Sequence, residues 1–383
     1  MAKKTIYLDY AAATPIDATV LDSMQPFFKD IFYNPSADYQ AARSVKKRLQ
    51  KARSEVAFWL GAKQNEIIFS AGGTEANNLA IKGVMDKYPK AKVLISAIEH
   101  DSIRQPAKQY FHQELAVNPD GLINLVDFNK KLDDSVVLVS IIYANNEIGV
   151  IQPLHKIAQI ITQVRLDRKK RGVKLPLLLH SDGCQAANYL DLHINRLGVD
   201  LFTLNGGKIY GPKQSGVLFV DQKVQLSPLI IGGGQEFNLR SGTENVAFAI
   251  GFTKALDIAQ KSRNQEANRL KNIRDYFILR LEKEIPKAVI NGSKDYRLAN
   301  NINVSIANQD NESLIIGLDQ VGIMAAAGSA CSAAKQQPSH VLEAIGLNDD
   351  QIKCSLRFSL GRETTKTQID VVVDELKKLL KNS

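Results

Sequence analysis

The sequence is that of an α/β protein, with a mostly parallel sheet in a large domain followed by a smaller α+β domain. Three observations predict this. Short β-rich runs alternate with longer amphipathic stretches through the middle of the chain, the pattern of strands joined by crossover helices. At 383 residues and 44% hydrophobic composition, the chain exceeds the length at which single cores stop growing, so two domains are expected. A long helical stretch without proline, Asn245–Lys283, then leads into a segment of mixed character.

Apolar and β-branched runs bounded by turn residues predict strands at Glu66–Ser70, Lys92–Ser96, Val136–Ile142, Pro176–Ser181, Asp200–Leu204 and Gly216–Val220. Between them, helical spacing of apolar residues predicts helices over Ala41–Leu60, Glu75–Asp86 and Leu154–Asp167. These elements place the large domain at residues 15–257. Residues 1–14 and 258–383 are assigned to the small domain, which includes a strand at Ala299–Ser305 and a final helix at Lys366–Leu380. The strand Thr5–Asp9 fits either domain by its pattern alone.

Composition excludes several classes of protein. No stretch approaches the ~20 uncharged apolar residues of a membrane span, and the start lacks a signal-peptide core, so a soluble cytoplasmic protein is expected. Three cysteines make no disulfide framework and none is spaced as a paired metal ligand, so no metal site is expected. The net charge of +9 is dispersed, and its densest cluster, Arg165 to Lys174, falls where a helix should end, which favours a solvated helix end over a nucleic-acid surface.

In an open parallel sheet, ligands bind at the carboxyl ends of strands, so the residues following each strand carry the chemistry. Gly72-Gly73-Thr74-Glu75 is a glycine turn opening a helix, either a phosphate cradle or an ordinary capped turn. Glu99-His100 and Tyr143-Ala144-Asn145-Asn146-Glu147 follow the next two strands, and each has a plain structural reading of its own. Asp182, at the end of an apolar strand, needs a partner there. A protonated pyridine nitrogen is one such partner, and Gln185 stands within reach of the same ring; a structural ion pair is the competing reading. Lys208 lies in the glycine turn Asn205-Gly206-Gly207-Lys208, where an amine can form a Schiff base with pyridoxal phosphate (PLP). Ile209 follows Lys208 in place of Ser or Thr, which rules out a nucleotide phosphate loop.

With these motifs in hand, the chain resembles the class I (NifS/IscS-like) cysteine desulfurases of the class V aminotransferase superfamily. The resemblance runs nearly end to end, from Tyr7-Leu8-Asp9-Tyr10 through Gly72-Gly73-Thr74-Glu75, Glu99-His100, Asn145-Asn146-Glu147-Ile148-Gly149 and Asp182 with Gln185. It continues through Lys208-Ile209-Tyr210-Gly211-Pro212-Lys213, Arg240-Ser241-Gly242-Thr243, Gly328-Ser329-Ala330-Cys331 and Leu356-Arg357-Phe358-Ser359. It implies PLP fold type I with a seven-stranded-type sheet. It also implies that Lys208 carries PLP, Asp182 pairs with the pyridine nitrogen, and Gln185 and Asn146 contact the phenolic oxygen. His100 would stack on the ring and help move protons. Gly73 and Thr74 would bind the phosphate together with Asn205 and Gly207, and Thr243 would come from the second subunit of a homodimer. Arg357, with Asn146 beside it, would hold the substrate carboxylate. The implied reaction converts L-cysteine to L-alanine, with sulfur passing to the thiolate of Cys331 as a persulfide and then to an acceptor protein, an iron–sulfur scaffold or a tRNA-thiolation protein.

Two positions depart from the family pattern. Asn205-Gly206-Gly207-Lys208 replaces the usual Ser-Gly-His-Lys, removing one phosphate donor, and Tyr39 stands close to where a histidine usually follows Asn34-Pro35-Ser36. Nothing in the sequence explains Tyr39. The competing functions are a selenocysteine lyase-like PLP enzyme and a catalytically weak scaffold that binds sulfur-transfer partners. Retention of Lys208, Asp182, Cys331 and Arg357 together argues against the scaffold.

Overall fold

The computed structural model describes residues 5–328 and 338–381. Among the described residues, twelve strands fall in three sheets: β1 (Ile6–Tyr7), β2 (Ile67–Ser70), β3 (Lys92–Ser96), β4 (His112–Leu115), β5 (Val136–Ser140), β6 (Leu178–Asp182), β7 (Leu201–Asn205), β8 (Gly216–Val220), β9 (Ala288–Ile290), β10 (Asn301–Ile306), β11 (Ile323–Met324) and β12 (Ser355–Ser359). The principal sheet has seven strands in the order β2-β8-β7-β6-β5-β3-β4. Its neighbours run parallel except for β8, which is antiparallel to both β2 and β7. The carboxyl ends of β2, β3, β5, β6 and β7 therefore share one edge, and β8 brings its first residue, Gly216, to that edge instead of its last.

Several strand ends differ from the sequence expectation for local reasons. Glu66 closes a short 3-10 turn, its carboxylate accepting from Lys63 N at 2.8 Å, so β2 begins one residue later. β5 stops at Ser140 because the Ile142 N–H donates to the Glu99 carboxylate instead of to a neighbouring strand. Pro176 has no N–H to donate, and β6 starts two residues beyond it at Leu178. Asp182 and Asn205 are the last residues of their strands. β4, with the sequence His-Gln-Glu-Leu, lacks the β-branched run that marks the other strands and has no signal of its own.

The helix Val246–Glu284 is unbroken across the expected domain boundary at residue 257. Its first half packs on the helix Gln40–Leu60, its second half on the small-domain strands and the final helix Lys366–Lys381. The small-domain core includes Leu270, Phe277, Ile302, Val304, Phe358 and Val372, separate from the cores that flank the large sheet. Residues Val341, Leu342, Ile345 and Ile352 pack into the large-domain core although they follow the boundary. β1 pairs in parallel with β11, and Asp9 bridges to Ser359 of β12, so the chain's start joins strands that lie beyond residue 320. No described helix is long and apolar enough to cross a membrane.

Candidate active site

Lys208 ends a 3-10 turn, Gly206–Lys208, that follows β7 directly. Its half-buried Nζ donates to Ala11 O at 2.9 Å and to Ala12 O, which fixes the amine at the mouth of a cavity on the sheet's carboxyl edge. Burial holds this amine below the usual lysine range. The Arg357 charge works in the same direction, against Cys184, Asp9 and Asp182. An amine so placed spends more of its time uncharged and nucleophilic, as Schiff-base chemistry requires.

Asp182 is buried at the end of β6, and both its oxygens accept hydrogen bonds: Oδ1 from Cys184 N at 2.9 Å and Oδ2 from Asn77 Nδ2 at 2.7 Å. Asn77 lies one helical turn beyond Gly73, on the helix Gly73–Lys87, so the same helix that opens the glycine turn also supports the carboxylate.

The glycine turn is built for close approach. Gly72 has φ +119 and gives the Gly73–Lys87 helix no side-chain cap, leaving the first amides of a 15-residue helix to face the cavity. A Cβ on Gly73 would lie 2.7 Å from Cys184 Sγ and 3.3 Å from Asn205 Cβ, so only glycine fits. Asn205 Oδ1 accepts from Gly207 N at 3.1 Å, which engages the one backbone donor Gly207 has and leaves the Asn205 amide nitrogen beside the turn. Thr74, Asn205, Lys208 and Lys213 line this cradle.

Opposite the cradle, Arg357 is 1% exposed on β12 and reaches the cavity by its guanidinium, donating to Asp9 Oδ1 at 2.6 Å and to Asn146 O at 3.2 Å. Its Nε has no partner among the described residues. Of the paired amides, Asn145 builds the turn, its Oδ1 accepting from Glu147 N and Ile148 N, while Asn146 lines the cavity. Gln185 also lines it, donating to Ala11 O at 2.9 Å. His100 caps the helix Asp101–Ala107 and presents its ring to the same space.

The structure thus brings Gly73, Thr74, His100, Asn146, Asp182, Gln185, Asn205, Lys208 and Arg357 to one cavity, with Gly207 on its glycine-turn side. Thr243 is exposed and lines neither part of it. Cys331 lies outside the described residues. Ala326, five positions before it, is bridged to Arg357, with N–H to O distances of 3.1 and 2.6 Å in the two directions. Sequence reasoning missed Asp9, Asn77 and Ser102, and the carbonyls of Ala11 and Ala12. Cys184 also lines the cavity, beside Lys208. The spacing of Asn77 from Gly73, four residues on one helix face, was the available signal.

A flat anionic pyridoxal fits this donor set. A helix N-terminus and the Asn205 amide would meet a phosphate, a carboxylate with two fixed donors would meet a pyridinium, and a lysine of lowered basicity stands between them. Fold and site together define a PLP-dependent enzyme of fold type I.

The class-V aminotransferase pattern matches residues 6–372. Cysteine desulfurase IscS of Dictyoglomus turgidum is 38% identical over 387 residues, covering 99% of this chain and 95% of that protein. The NifS-like protein of Rickettsia africae superposes with a TM-score of 0.87 at 31% identity, covering 99% of this chain and all of that one. A structure described as SspA in complex with cysteine superposes with a TM-score of 0.78 at 31% identity, covering 93% of this chain and 99% of the other. The chain belongs to the class-V aminotransferase family, among its IscS- and NifS-like members.

Proposed function

We propose that this chain is a cysteine desulfurase that takes sulfur from L-cysteine and releases L-alanine, with PLP held on Lys208 and the sulfur received by Cys331. The observation that carries this reading is the convergence on one cavity of Lys208 just beyond β7, Asp182 at the end of β6 and Arg357 in the middle of β12. Bound PLP supplies an electron sink for the pair left when the substrate's α-proton is removed.

The chain's own residues supply binding and proton movement. Arg357 holds the substrate carboxylate with the guanidinium hydrogens that Asp9 and Asn146 leave free, beside the Asn146 side chain. Asp182 accepts from the pyridine N–H, and Gln185 and Asn146 lie toward the phenolic oxygen. Lys208, released by the incoming amine, takes the α-proton at Nζ, which the Ala11 and Ala12 carbonyls keep over the cavity. The Cys331 thiolate attacks the substrate sulfur and the carbon–sulfur bond breaks. Its electron pair stays with the carbon fragment, which takes up a proton at Cβ, regains a proton at Cα from Lys208 and leaves as alanine.

We assign the second-subunit role to Thr243, whose exposure in its own chain suits a residue lent to the partner of a homodimer. A sulfur-acceptor protein for iron–sulfur assembly or tRNA thiolation, a cytoplasmic location, and the absence of nucleic-acid or membrane partners complete the proposal. The test is purification and addition of L-cysteine: a yellow protein whose absorbance shifts, with alanine formed in step with sulfide in the presence of reductant, is expected. Colour without alanine supports the scaffold reading instead, and turnover of selenocysteine alone supports the selenocysteine lyase.

A further inference from the structure

The first-choice role for an active-site histidine over a cofactor is to shuttle protons, and the sequence reading gave His100 a share in that work. The local geometry points elsewhere. Ser102 N donates to His100 Nδ1 at 3.1 Å, and a backbone N–H can only donate, so Nδ1 is an acceptor. Ser102 Oγ lies 2.8 Å from the same nitrogen. Asn77 Nδ2 donates to Ser102 Oγ at 2.8 Å, and the same amide nitrogen donates to Asp182 Oδ2 at 2.7 Å. Because the hydroxyl accepts from Asn77, its own hydrogen is directed at His100 Nδ1. Two donors therefore converge on Nδ1, and the imidazole proton resides on Nε2, the nitrogen left for the cavity.

We propose that Asn77 and Ser102 are positioning residues that hold His100 as a neutral Nε2–H hydrogen-bond donor, and that proton transfer in this enzyme belongs to Lys208. This rests on reading the cavity as the PLP site. The four side chains form a continuous relay, from Asp182 through Asn77 and Ser102 to His100, every member buried or half-buried. The orientation of the Asn77 amide is set by the Asp182 carboxylate, which accepts only from the nitrogen end. The cost is visible, since Asn77 Oδ1 is buried without a hydrogen-bond partner among the described residues. To accept a proton from substrate, Nε2 must first be bare. That requires moving the imidazole proton to Nδ1, which breaks both Ser102 contacts and turns the Ser102 N–H against a like donor.

The test is nitrogen-15 NMR of the uniformly labelled holoenzyme, with the His100 signals assigned by their loss in His100→Gln. A bare Nδ1 and a protonated Nε2 are expected in the neutral imidazole; a neutral imidazole protonated at Nδ1 overturns the proposal. Asn77→Ala removes a group two hydrogen bonds from the imidazole, and the His100 Nδ1 resonance should shift even so. An unmoved resonance breaks the relay. In kinetics, His100→Ala should lose more than His100→Gln, because the amide restores a neutral donor and brings kcat back to within about tenfold of wild type. Loss of a general base typically costs about 100- to 10,000-fold, and a loss of that size in His100→Gln assigns proton transfer to the imidazole. The tautomer is read on the protein with or without turnover. If Lys208→Ala kept a normal cofactor spectrum, the PLP-site reading would fail while the tautomer result stood.

Discussion

Arg357 and Asp9 lie 348 residues apart in the chain and meet at 2.6 Å, guanidinium Nη2 to carboxylate Oδ1. The arginine side chain is 2% exposed and the aspartate 20%, so this is a largely buried pair at the edge of the substrate cavity. The planar guanidinium serves Asp9 and the Asn146 carbonyl and, in the proposed role, a substrate carboxylate as well, which the point charge of an ammonium cannot do. Arg357→Lys should therefore raise KM for cysteine by about tenfold or more, since ~1.4 kcal/mol of lost binding corresponds to tenfold, with a smaller change in kcat. Steady-state kinetics decide it, and an unchanged KM places the carboxylate clamp elsewhere. Asp9→Ala leaves the buried cation without its anion, at a cost of roughly 3–5 kcal/mol in stability, to be read by denaturant unfolding.

The pH dependence of stability has a specific source beneath the site. His180, fully buried on β6, contacts Ser140 Oγ at 2.9 Å and Thr203 Oγ1 at 3.1 Å; burial lowers its pKa from 6.5 to about 4, with Asp182 opposing. The imidazole stays neutral in the fold but takes a proton in the unfolded chain below the unperturbed value. Its contribution is thus fully present above pH 6.5 and is lost as pH falls toward 4, to a total of roughly 3 kcal/mol. The stability difference between wild type and His180→Gln, measured by urea unfolding, should narrow by about that amount across this window. A difference independent of pH contradicts the assignment.

The two described thiols should be unreactive at neutral pH. Burial pushes Cys184 well above the usual thiol range, Asp182 adds to the effect and Lys208 opposes it; burial likewise raises Cys354. Iodoacetamide at neutral pH is expected to label Cys331 alone among the three cysteines, so that Cys331→Ser abolishes rapid labelling and Cys184→Ser leaves it intact. Mass spectrometry of the labelled peptides provides the count, and fast labelling at Cys184 would contradict its burial.

Periodicity and turn chemistry made much of this legible in the sequence. The strands Lys92–Ser96 and Gly216–Val220 stand at their expected bounds, and most site residues lie at or just beyond strand ends. What escaped notice depends on contacts between distant segments. Asp9 acquires meaning only when β12 brings Arg357 to it, and Ser102 only when Asn77 approaches from another helix. β8 reads as an ordinary strand, and its antiparallel direction is fixed by pairing with β2 and β7, which no local pattern encodes. Cys184 reaches the cavity lining only because Gly73 has no side chain to meet its Sγ.

Gly207 stands where the family usually has histidine, and the structure shows room for a Cβ there. A Cβ there would lie 3.6 Å from Asn205 Oδ1 and from Lys213 Cγ, which is ordinary contact, and Gly207 is not among the glycines of positive φ. The Gly207 N–H is already donated to Asn205 Oδ1, so it adds no donor for a phosphate, and the Asn205 amide nitrogen is the side-chain donor left on this turn. An imidazole at residue 207 should therefore add a charge-assisted hydrogen bond that the chain now lacks. Such a bond is worth about 1.5–3 kcal/mol, or roughly ten- to a hundredfold in cofactor affinity. The covalent link to Lys208 masks part of this at equilibrium, so the measurement is the rate of PLP loss during dialysis against a competing amine. Gly207→His should slow it, while Asn205→Ala, which removes both the remaining amide and the partner of Gly207 N, should speed it. Faster loss in Gly207→His would mean that the turn needs glycine for its backbone, and that Thr74 and the Gly73–Lys87 helix terminus carry the phosphate without a partner at residue 207.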